Sequence, residues 1–167
     1  MTLHRATLSI RSPQAMAEFA NRLGQLLRPG DCILLEGQIG AGKTHLARSL
    51  IQSLLDEPED VPSPTFTLVQ TYETRAGELW HADLYRLSSV TEIEELGLIE
   101  AFEEAICLVE WPDRLGNLAP EDALTISFTQ GGDDPDTREI SLRTNNPHWA
   151  IVLSKLAKKD AEMSRTP

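Results

Sequence analysis

The chain has 167 residues, of which 41% are hydrophobic, and it carries a formal net charge of −11. This length is enough for one domain with its own core, and the composition disfavours a largely disordered chain. So acidic a surface repels nucleic-acid phosphates, which disfavours direct, independent binding to RNA or DNA and leaves a small basic patch or a basic partner protein as the routes.

Nothing in the sequence predicts export or membrane insertion. No apolar run approaches the roughly 20 residues that span a bilayer. Residues 1–5 (MTLHR) are not followed by the apolar stretch of a secretory signal. Cys32 and Cys107 lie far apart within apolar runs and form no CxxC motif, which favours buried thiols over a disulfide or a metal site. We therefore expect a cytoplasmic protein with two buried, free thiols and no membrane association.

The first half of the sequence alternates strands and helices around a glycine-rich loop. In chain order it predicts a strand at 3–10, a helix that starts at Ser12 and Pro13 and ends at Pro29, a strand at 32–35, and a helix at 43–55. Serine is a good helix cap and proline fits the first helical turn. The strand at 32–35 (CILL) is continuously apolar, which is typical of a strand buried on both faces.

The second half predicts two hairpins separated by a helix and a buried strand. Strands at 65–72 and 78–84 form the first hairpin, an acidic helix follows at 91–104, a strand at 105–109, a second hairpin at 123–128 and 138–143, and a terminal helix at 147–159.

This order of elements predicts an α/β fold, a P-loop NTPase-like three-layer sandwich with a mixed parallel and antiparallel sheet. We expect residues 1–167 to form one domain, with the last residues, about eight of them, frayed.

The sequence GQIGAGKT, which ends at Thr44, matches the pattern of a phosphate-binding loop. Its glycines let backbone N–H groups turn toward phosphate oxygens, so Gly40, Ala41 and Gly42 are predicted to bind a nucleotide. In such loops the lysine, here Lys43, reaches the β- and γ-phosphates, and the hydroxyl of Thr44 ligates magnesium. A strand before the loop and a helix after it are the context that this interpretation requires.

Two carboxylates at predicted strand ends are candidates to complete the site. Glu110 follows the strand at 105–109 and is a candidate magnesium ligand, and Asp83 stands at the end of the first hairpin. For each, the alternative is an exposed carboxylate without a functional role. His81 lies beside Asp83, and we expect a packed strand histidine rather than a metal ligand, because no further ligand spacing is nearby.

Five segments together carry a resemblance that the loop alone would not. They are residues 40–44 (GAGKT), 63–69 (SPTFTLV), 81–87 (HADLYRL), 95–97 (ELG) and 108–112 (LVEWP). In this order they closely resemble the TsaE family, the bacterial ATPase required for threonylcarbamoyladenosine modification of tRNA. The likeness runs from about residue 12 to residue 143.

The resemblance implies roles for residues beyond the loop. Thr65 would face the γ-phosphate and the metal, as in a switch segment, and Asp83 would position water or contact the metal indirectly. Glu110 would bind magnesium, and Trp111 would lie beside the nucleotide.

Five more positions fall where the family contacts the nucleotide or where this sequence departs from its pattern. Ser12 and Arg138 occupy regions that contact the nucleotide in the family. His45 follows Thr44 where a second threonine is common, and it would share the nucleotide site. Gln38 and Ile39 replace a common Asp-Leu pair, with little expected effect because these positions offer mainly backbone.

The family resemblance also implies the cofactors and the partners. ATP and Mg²⁺ would bind the protein, and its partner would be a threonylcarbamoyl transferase complex of two protein subunits. ATP binding and hydrolysis would reset that complex between catalytic cycles, and tRNA would be met only through it.

Two other interpretations remain open. One is an unrelated P-loop enzyme such as a small-molecule kinase, although the arginines are scattered rather than clustered in a lid, and a GTPase would need an Asn-Lys-x-Asp segment that the sequence lacks. The other is a binding module in which ATP orders residues 63–66 and hydrolysis is incidental.

Overall fold

The computed structural model describes residues 3–38 and 40–165, with side chains described as far as Leu156 in the last helix. The strands are β1 (His4–Ile10), β2 (Cys32–Glu36), β3 (Val69–Thr74), β4 (Gly77–Asp83), β5 (Ile106–Glu110), β6 (Leu124–Gln130) and β7 (Arg138–Thr144). The helices are α1 (Pro13–Gly24), α2 (Lys43–Leu54), α3 (Val90–Glu95), α4 (Leu98–Glu104) and α5 (Pro147–Arg165), and a 3-10 helical segment covers Pro112–Leu118.

The strands form one mixed sheet in the order β1-β7-β6-β2-β5-β4-β3. The four central strands, β6, β2, β5 and β4, are parallel, while β1, β7 and β3 join antiparallel at the two sides. Parallel neighbours bring their carboxyl ends to one edge, so the segments that follow β2, β4 and β5 meet there.

Each face of the sheet carries its own hydrophobic core. One core packs side chains such as Phe19 of α1, Leu50 of α2 and Trp149 of α5 against the sheet. The other packs Ile93 of α3 and Leu98 of α4 against the opposite face. Layers of helices on both sides of a mixed sheet confirm the predicted α/β three-layer sandwich.

The predicted strand at 65–72 begins too early. Residues 64–67 form a turn, closed by a hydrogen bond from the N–H of Leu68 to the carbonyl of Pro64 at 2.7 Å, and β3 starts only at Val69. Leu68 has φ 69°, a left-handed conformation that a regular strand does not contain. The turn removes Thr65 from the ladder and directs it elsewhere, as described below.

Two predicted helices also end or break earlier than expected. The acidic helix at 91–104 is two helices, α3 and α4, because Gly97 between them has φ 79° and ends the first one. A Cβ at Gly97 would lie 3.6 Å from the ring of Trp80, so the break is packed against β4. The first helix ends at Gly24, and turns rather than helix lead to Pro29.

The terminal helix is longer than the predicted residues 147–159, since α5 extends to Arg165. Trp149 is only 1% exposed and anchors α5 on the core. The predicted tail continues to residues 166 and 167, which lie outside the described residues, as do residues 1 and 2 and Ile39 of the glycine loop. None of the helices within the described part is long and apolar enough to cross a bilayer.

The two cysteines are free and buried, as the sequence predicts. Cys32 and Cys107 are register partners on the neighbouring parallel strands β2 and β5. Burial raises the pKa of the Cys32 thiol well above its usual range, and the nearby Cys107 adds to this. Burial likewise raises the pKa of Cys107 to about 12. Thiols in this state are poor nucleophiles.

We therefore expect neither thiol to react with Ellman's reagent in the folded protein at pH 8. After unfolding in guanidinium chloride, both thiols should react within minutes, because exposure returns their pKa to ordinary values. Absorbance at the thionitrobenzoate band counts the released groups. Rapid reaction of one thiol in the folded protein would contradict the buried placement of β2 and β5.

Candidate nucleotide and metal site

The glycine loop connects the end of β2 to the start of α2 at the carboxyl edge of the sheet. Gly42 precedes α2 with φ 113° and ψ 2°, a conformation that side chains rarely adopt. Gly37 has φ 150°, and a Cβ there would lie 3.0 Å from the carbonyl oxygen of Phe128. The loop therefore needs glycine at both positions, and it leads into a helix N-terminus, where the orphan N–H groups and the helix dipole favour anions.

Lys43 is the first residue of α2, and its side chain folds back over the loop. The Nζ atom donates to the carbonyls of Gly37 and Gln38, the latter at 3.3 Å, and lies 3.8 Å from the ring centroid of Trp111. Only 5% of Lys43 is exposed. Burial lowers the pKa of the amine below its usual value, and the negative charge of Glu110 offsets part of this shift.

A chain of hydrogen bonds joins α2 to the two central strands. The Thr44 hydroxyl donates to Oε1 of Glu110 at 2.8 Å, and Nε2 of His81 lies 2.7 Å from Oε2 of the same carboxylate. Glu110 ends β5 and is 2% exposed, and His81 on β4 is fully buried. The structure thus brings together Thr44 and Glu110, the two residues predicted to ligate magnesium.

His81 is a packed strand histidine, as predicted. Its contact with Glu110 is not predicted by the sequence, which placed it beside Asp83 only. His81 and Asp83 lie two residues apart on β4. Asp83 is the register partner of Glu110 on β5. The two carboxylates therefore stand side by side on neighbouring strand ends.

Asp83 fixes the turn that holds Thr65. Its Oδ1 accepts the backbone N–H of Tyr85 at 3.0 Å, and its Oδ2 lies 3.4 Å from the Thr65 hydroxyl. The Thr65 hydroxyl also lies 2.8 Å from that of Ser63. The backbone N–H of Asp83 donates to the carbonyl of Leu68 at 2.9 Å, so both Thr65 and Leu68 contact Asp83 at the end of β4.

Trp111 stands between two cavities that meet at the glycine loop. One cavity, of about 640 Å³, is lined by the loop, Trp111, Phe128 and Arg138. The second, of about 420 Å³, is lined by the start of α2 and by residues that include Thr65, Asp83 and Glu110. Trp111 has φ 60° and ψ 53°, and its ring centroid is 4.8 Å from that of Tyr85. Such strained backbone is concentrated at functional sites.

The remaining predicted residues lie at different distances from this centre. His45 lines the second cavity, and its Nε2 is 3.0 Å from the carbonyl of Pro13, which ties α2 to the start of α1. Arg138 lines the first cavity and donates to the carbonyl of Thr137 at 3.1 Å. Ser12 caps α1 by accepting the N–H of Ala15 at 3.0 Å, and the described lining of the two cavities does not include it.

A polar cluster at the base of the loop was not predicted from the sequence. Arg143 on β7 donates to both carboxylate oxygens of Glu36, at 3.2 and 3.0 Å, and to the hydroxyl of Ser127 at 3.0 Å. Ser127 in turn donates to Glu36 at 3.0 Å. Glu36 is the last residue of β2, so this cluster anchors the start of the loop. The feature of the sequence that could have predicted this cluster is the charged residue Glu36 at the end of a buried strand.

The donor set suits a hard divalent cation. Thr44, Asp83 and Glu110 offer hydroxyl and carboxylate oxygens, which Mg²⁺ prefers. Within the described residues, no group of three His, Cys, Asp or Glu side chains could hold a metal ion. A cation here would therefore need oxygens from a ligand to fill its coordination shell, as magnesium commonly takes them from phosphates.

A comparison with protein families shows to which family the chain belongs. The model of the threonylcarbamoyl adenosine biosynthesis protein TsaE matches residues 10–140. The chain belongs to the TsaE family. This confirms the resemblance carried by the five sequence segments, and it links the chain to the biosynthesis of threonylcarbamoyladenosine in tRNA.

Individual TsaE proteins match most of the chain. The protein of Rickettsia felis is 34% identical over 87% of this chain and 84% of its own length. That of Bacillus subtilis is 33% identical over 89% of this chain and 92% of its own length. Both are named tRNA threonylcarbamoyladenosine biosynthesis protein TsaE.

A solved TsaE-like structure shares the whole fold. The crystal structure of Bacillus subtilis YdiB superposes with a TM-score of 0.76 at 25% identity, covering 96% of this chain and 99% of YdiB. The match extends beyond residues 10–140 of the family model, so the architecture, including most of the chain outside that range, is that of a P-loop-like α/β protein.

The buried lysine generates a prediction about stability. Because burial lowers its pKa in the folded state, the unfolded chain holds the Lys43 proton more tightly, and wild-type stability rises with pH through that window. Lys43→Met carries no charge to bury, so its stability relative to wild type should be higher at neutral pH than at alkaline pH, where the wild-type amine becomes neutral.

Thermal unfolding without nucleotide, followed by circular dichroism at neutral and alkaline pH, measures this difference. Lys155→Met is the matched control, since Lys155 is exposed and far along α5. A stability difference between Lys43→Met and wild type that does not change with pH would refute the lowered pKa of the amine.

Proposed function

We propose that this TsaE-family protein is a magnesium-dependent P-loop ATPase. It supports threonylcarbamoyladenosine modification of tRNA by binding and resetting a two-subunit threonylcarbamoyl transferase complex. The observation that carries the proposal is the hydrogen bond between Thr44 and Glu110 directly beside Lys43. A phosphate-binding lysine and two magnesium-type ligands at one helix start form the constellation that nucleotide hydrolysis requires.

In this proposal the nucleotide spans the two cavities, which share Gly40 and Trp111. Backbone N–H groups of Gly40, Ala41 and Gly42 hold the phosphates, and Lys43 exchanges its loop carbonyls for phosphate oxygens. The larger cavity has room for the nucleoside next to Trp111 and Arg138. His45 and Ser12 contribute less directly, through the start of α1.

The metal and the water are held by the second cavity. Bound to Thr44 and Glu110, magnesium would neutralise charge that builds up on the phosphate oxygens. Asp83 and Thr65, whose side chains already lie within 3.4 Å of each other, orient the attacking water. The water oxygen forms a bond to the γ-phosphorus while the bond to the bridging oxygen of ADP breaks.

The partner proposal rests on the family and on charge. TsaE proteins act in the biosynthesis of a tRNA nucleoside, and this chain carries a net charge of −11. So acidic a protein meets tRNA through the transferase complex rather than directly. Because its proposed partner acts on tRNA, we also propose a cytoplasmic location.

We expect weak ATP hydrolysis by the purified protein with magnesium, and faster hydrolysis when the transferase complex and tRNA are added. Lys43→Ala should lower the rate about a hundredfold or more, because it removes the cation that stabilises the transferring phosphoryl group. Phosphate release measures both rates, and the Arg5→Ala variant, altered on the far strand β1, is the control. Rapid hydrolysis indifferent to the complex would refute the proposed role.

A binding module with incidental hydrolysis is the second candidate, and the Thr65 turn favours it. Phe66, next to Thr65, is 83% exposed and lies under the guanidinium of Arg86 at 5.5 Å. A nucleotide that orders Thr65 would therefore also arrange an exposed aromatic residue, as γ-phosphate arranges switch segments.

Asp83→Asn separates the two candidates. The amide keeps the size of the side chain but weakens its hold on water, so hydrolysis should fall about a hundredfold while nucleotide binding persists. If each transferase complex then modifies only one tRNA in the presence of the Asp83→Asn variant, hydrolysis is needed for the proposed function. Modification through many turnovers would instead establish the binding module.

A further inference from the structure

His81 has no role in the site as described so far, yet it is the most deeply placed polar side chain near it. It is 0% exposed on β4, between the core residue Leu79 and the candidate catalytic residue Asp83. Its register partner on β5 is Leu108, another fully buried core residue. A polar ring in such a position costs free energy unless it is hydrogen-bonded.

The only described partner of the ring is Glu110. Nε2 of His81 lies 2.7 Å from Oε2, while Nδ1 is buried with no hydrogen-bond partner among the described residues. A carboxylate that binds magnesium is ionised and can only accept, so in the proposed site Nε2 of His81 carries the hydrogen and donates. The ring is thus committed to one contact, with the carboxylate that stands at the candidate metal position.

Glu110 in turn has its two oxygens fixed from opposite sides. Thr44 donates to Oε1 at 2.8 Å, and His81 donates to Oε2. Each oxygen keeps a further lone pair, and the Thr44 hydroxyl keeps its own lone pairs while it donates. The Thr44 bond alone would leave the carboxylate free to rotate about it. The second bond, from a buried ring on a central strand, sets its plane.

We propose that His81 is a positioning residue that orients Glu110 for magnesium binding, an assignment that rests on the proposed function. It contributes no ligand itself, because its donating nitrogen faces Glu110. His81 acts through Glu110, as a residue does that hydrogen-bonds a metal-binding carboxylate. Loss of such a partner typically lowers metal affinity about 10–100-fold.

Magnesium-dependent nucleotide binding tests this without hydrolysis. Fluorescent mant-ADP is titrated with protein in EDTA and again in excess Mg²⁺, and the ratio of the two dissociation constants is the magnesium gain. In His81→Leu we expect the magnesium gain to fall by about tenfold, with binding in EDTA unchanged. In His81→Gln, whose amide can donate from near the Nε2 position, the gain should be largely restored.

A matched control exists at the other end of β2. Nε2 of His148 lies 3.2 Å from the buried carboxylate of Asp31, the same kind of pair far from the glycine loop. His148→Leu should keep the full magnesium gain. If His81→Leu does not fold, His81→Asn takes its place, because its shorter amide does not reach Glu110, and the Asn and Gln variants are compared.

The outcomes test the proposed metal site and the role of His81 separately. Wild-type binding that is indifferent to magnesium would overturn the proposed metal site and the role of His81 with it. If the wild type shows a magnesium gain and both His81→Leu and His81→Asn keep it, the role of His81 is overturned while the proposed metal site stands. Equal losses in EDTA and in magnesium would show a structural role for His81 and likewise overturn the assignment.

Discussion

Glu110 is a carboxylate buried at the point where β5, β4 and α2 meet, and the geometry of the whole site depends on how its charge is satisfied. Removing such a group from water is costly unless hydrogen bonds replace the lost hydration. Here Thr44 supplies one bond from the loop helix and His81 supplies another from β4. The interaction therefore ties the glycine loop to the two strands that carry the other polar residues.

The buried cation of Lys43 complements this arrangement. Its amine is stabilised by carbonyls of the loop and by the ring of Trp111, and burial still lowers its pKa. A phosphate group offers the amine stronger, charge-assisted bonds than carbonyls do. In the proposed function, a nucleotide phosphate would therefore replace the loop carbonyls with stronger acceptors, next to the left-handed backbone of Trp111.

The fold could be predicted from sequence to the extent that it depends on periodicity and on loop chemistry. The buried strand β2, the glycine loop and α2 were located closely, because apolar runs and the phosphate-loop pattern are local signals. The turn at Thr65 and the break at Gly97 were not. The turn at Thr65 is held by a contact with Asp83, which is distant in sequence. The break at Gly97 follows from the φ of 79° at that glycine, and the glycine is a local signal that the prediction of one acidic helix passed over.

The same distinction holds for the site. Thr44, Asp83 and Glu110 were predicted because each follows a recognisable strand or loop. The bond from His81 to Glu110 joins residues 29 positions apart, and the bonds from Arg143 to Glu36 join residues 107 apart. Such contacts follow from strand order, which a single sequence does not specify. The roles of these residues in nucleotide and metal binding, like those of Ser12 and Arg138, remain predictions.

The central claim is that one nucleotide with magnesium occupies the junction of the loop, β4 and β5. A crystal structure with Mg²⁺ and a non-hydrolysable ATP analogue tests it most directly. The account predicts a metal ion beside Thr44 and Glu110, with the Lys43 amine moved from the loop carbonyls onto phosphate oxygens. A nucleotide bound elsewhere, or bound in the loop with no metal beside Thr44, would contradict it.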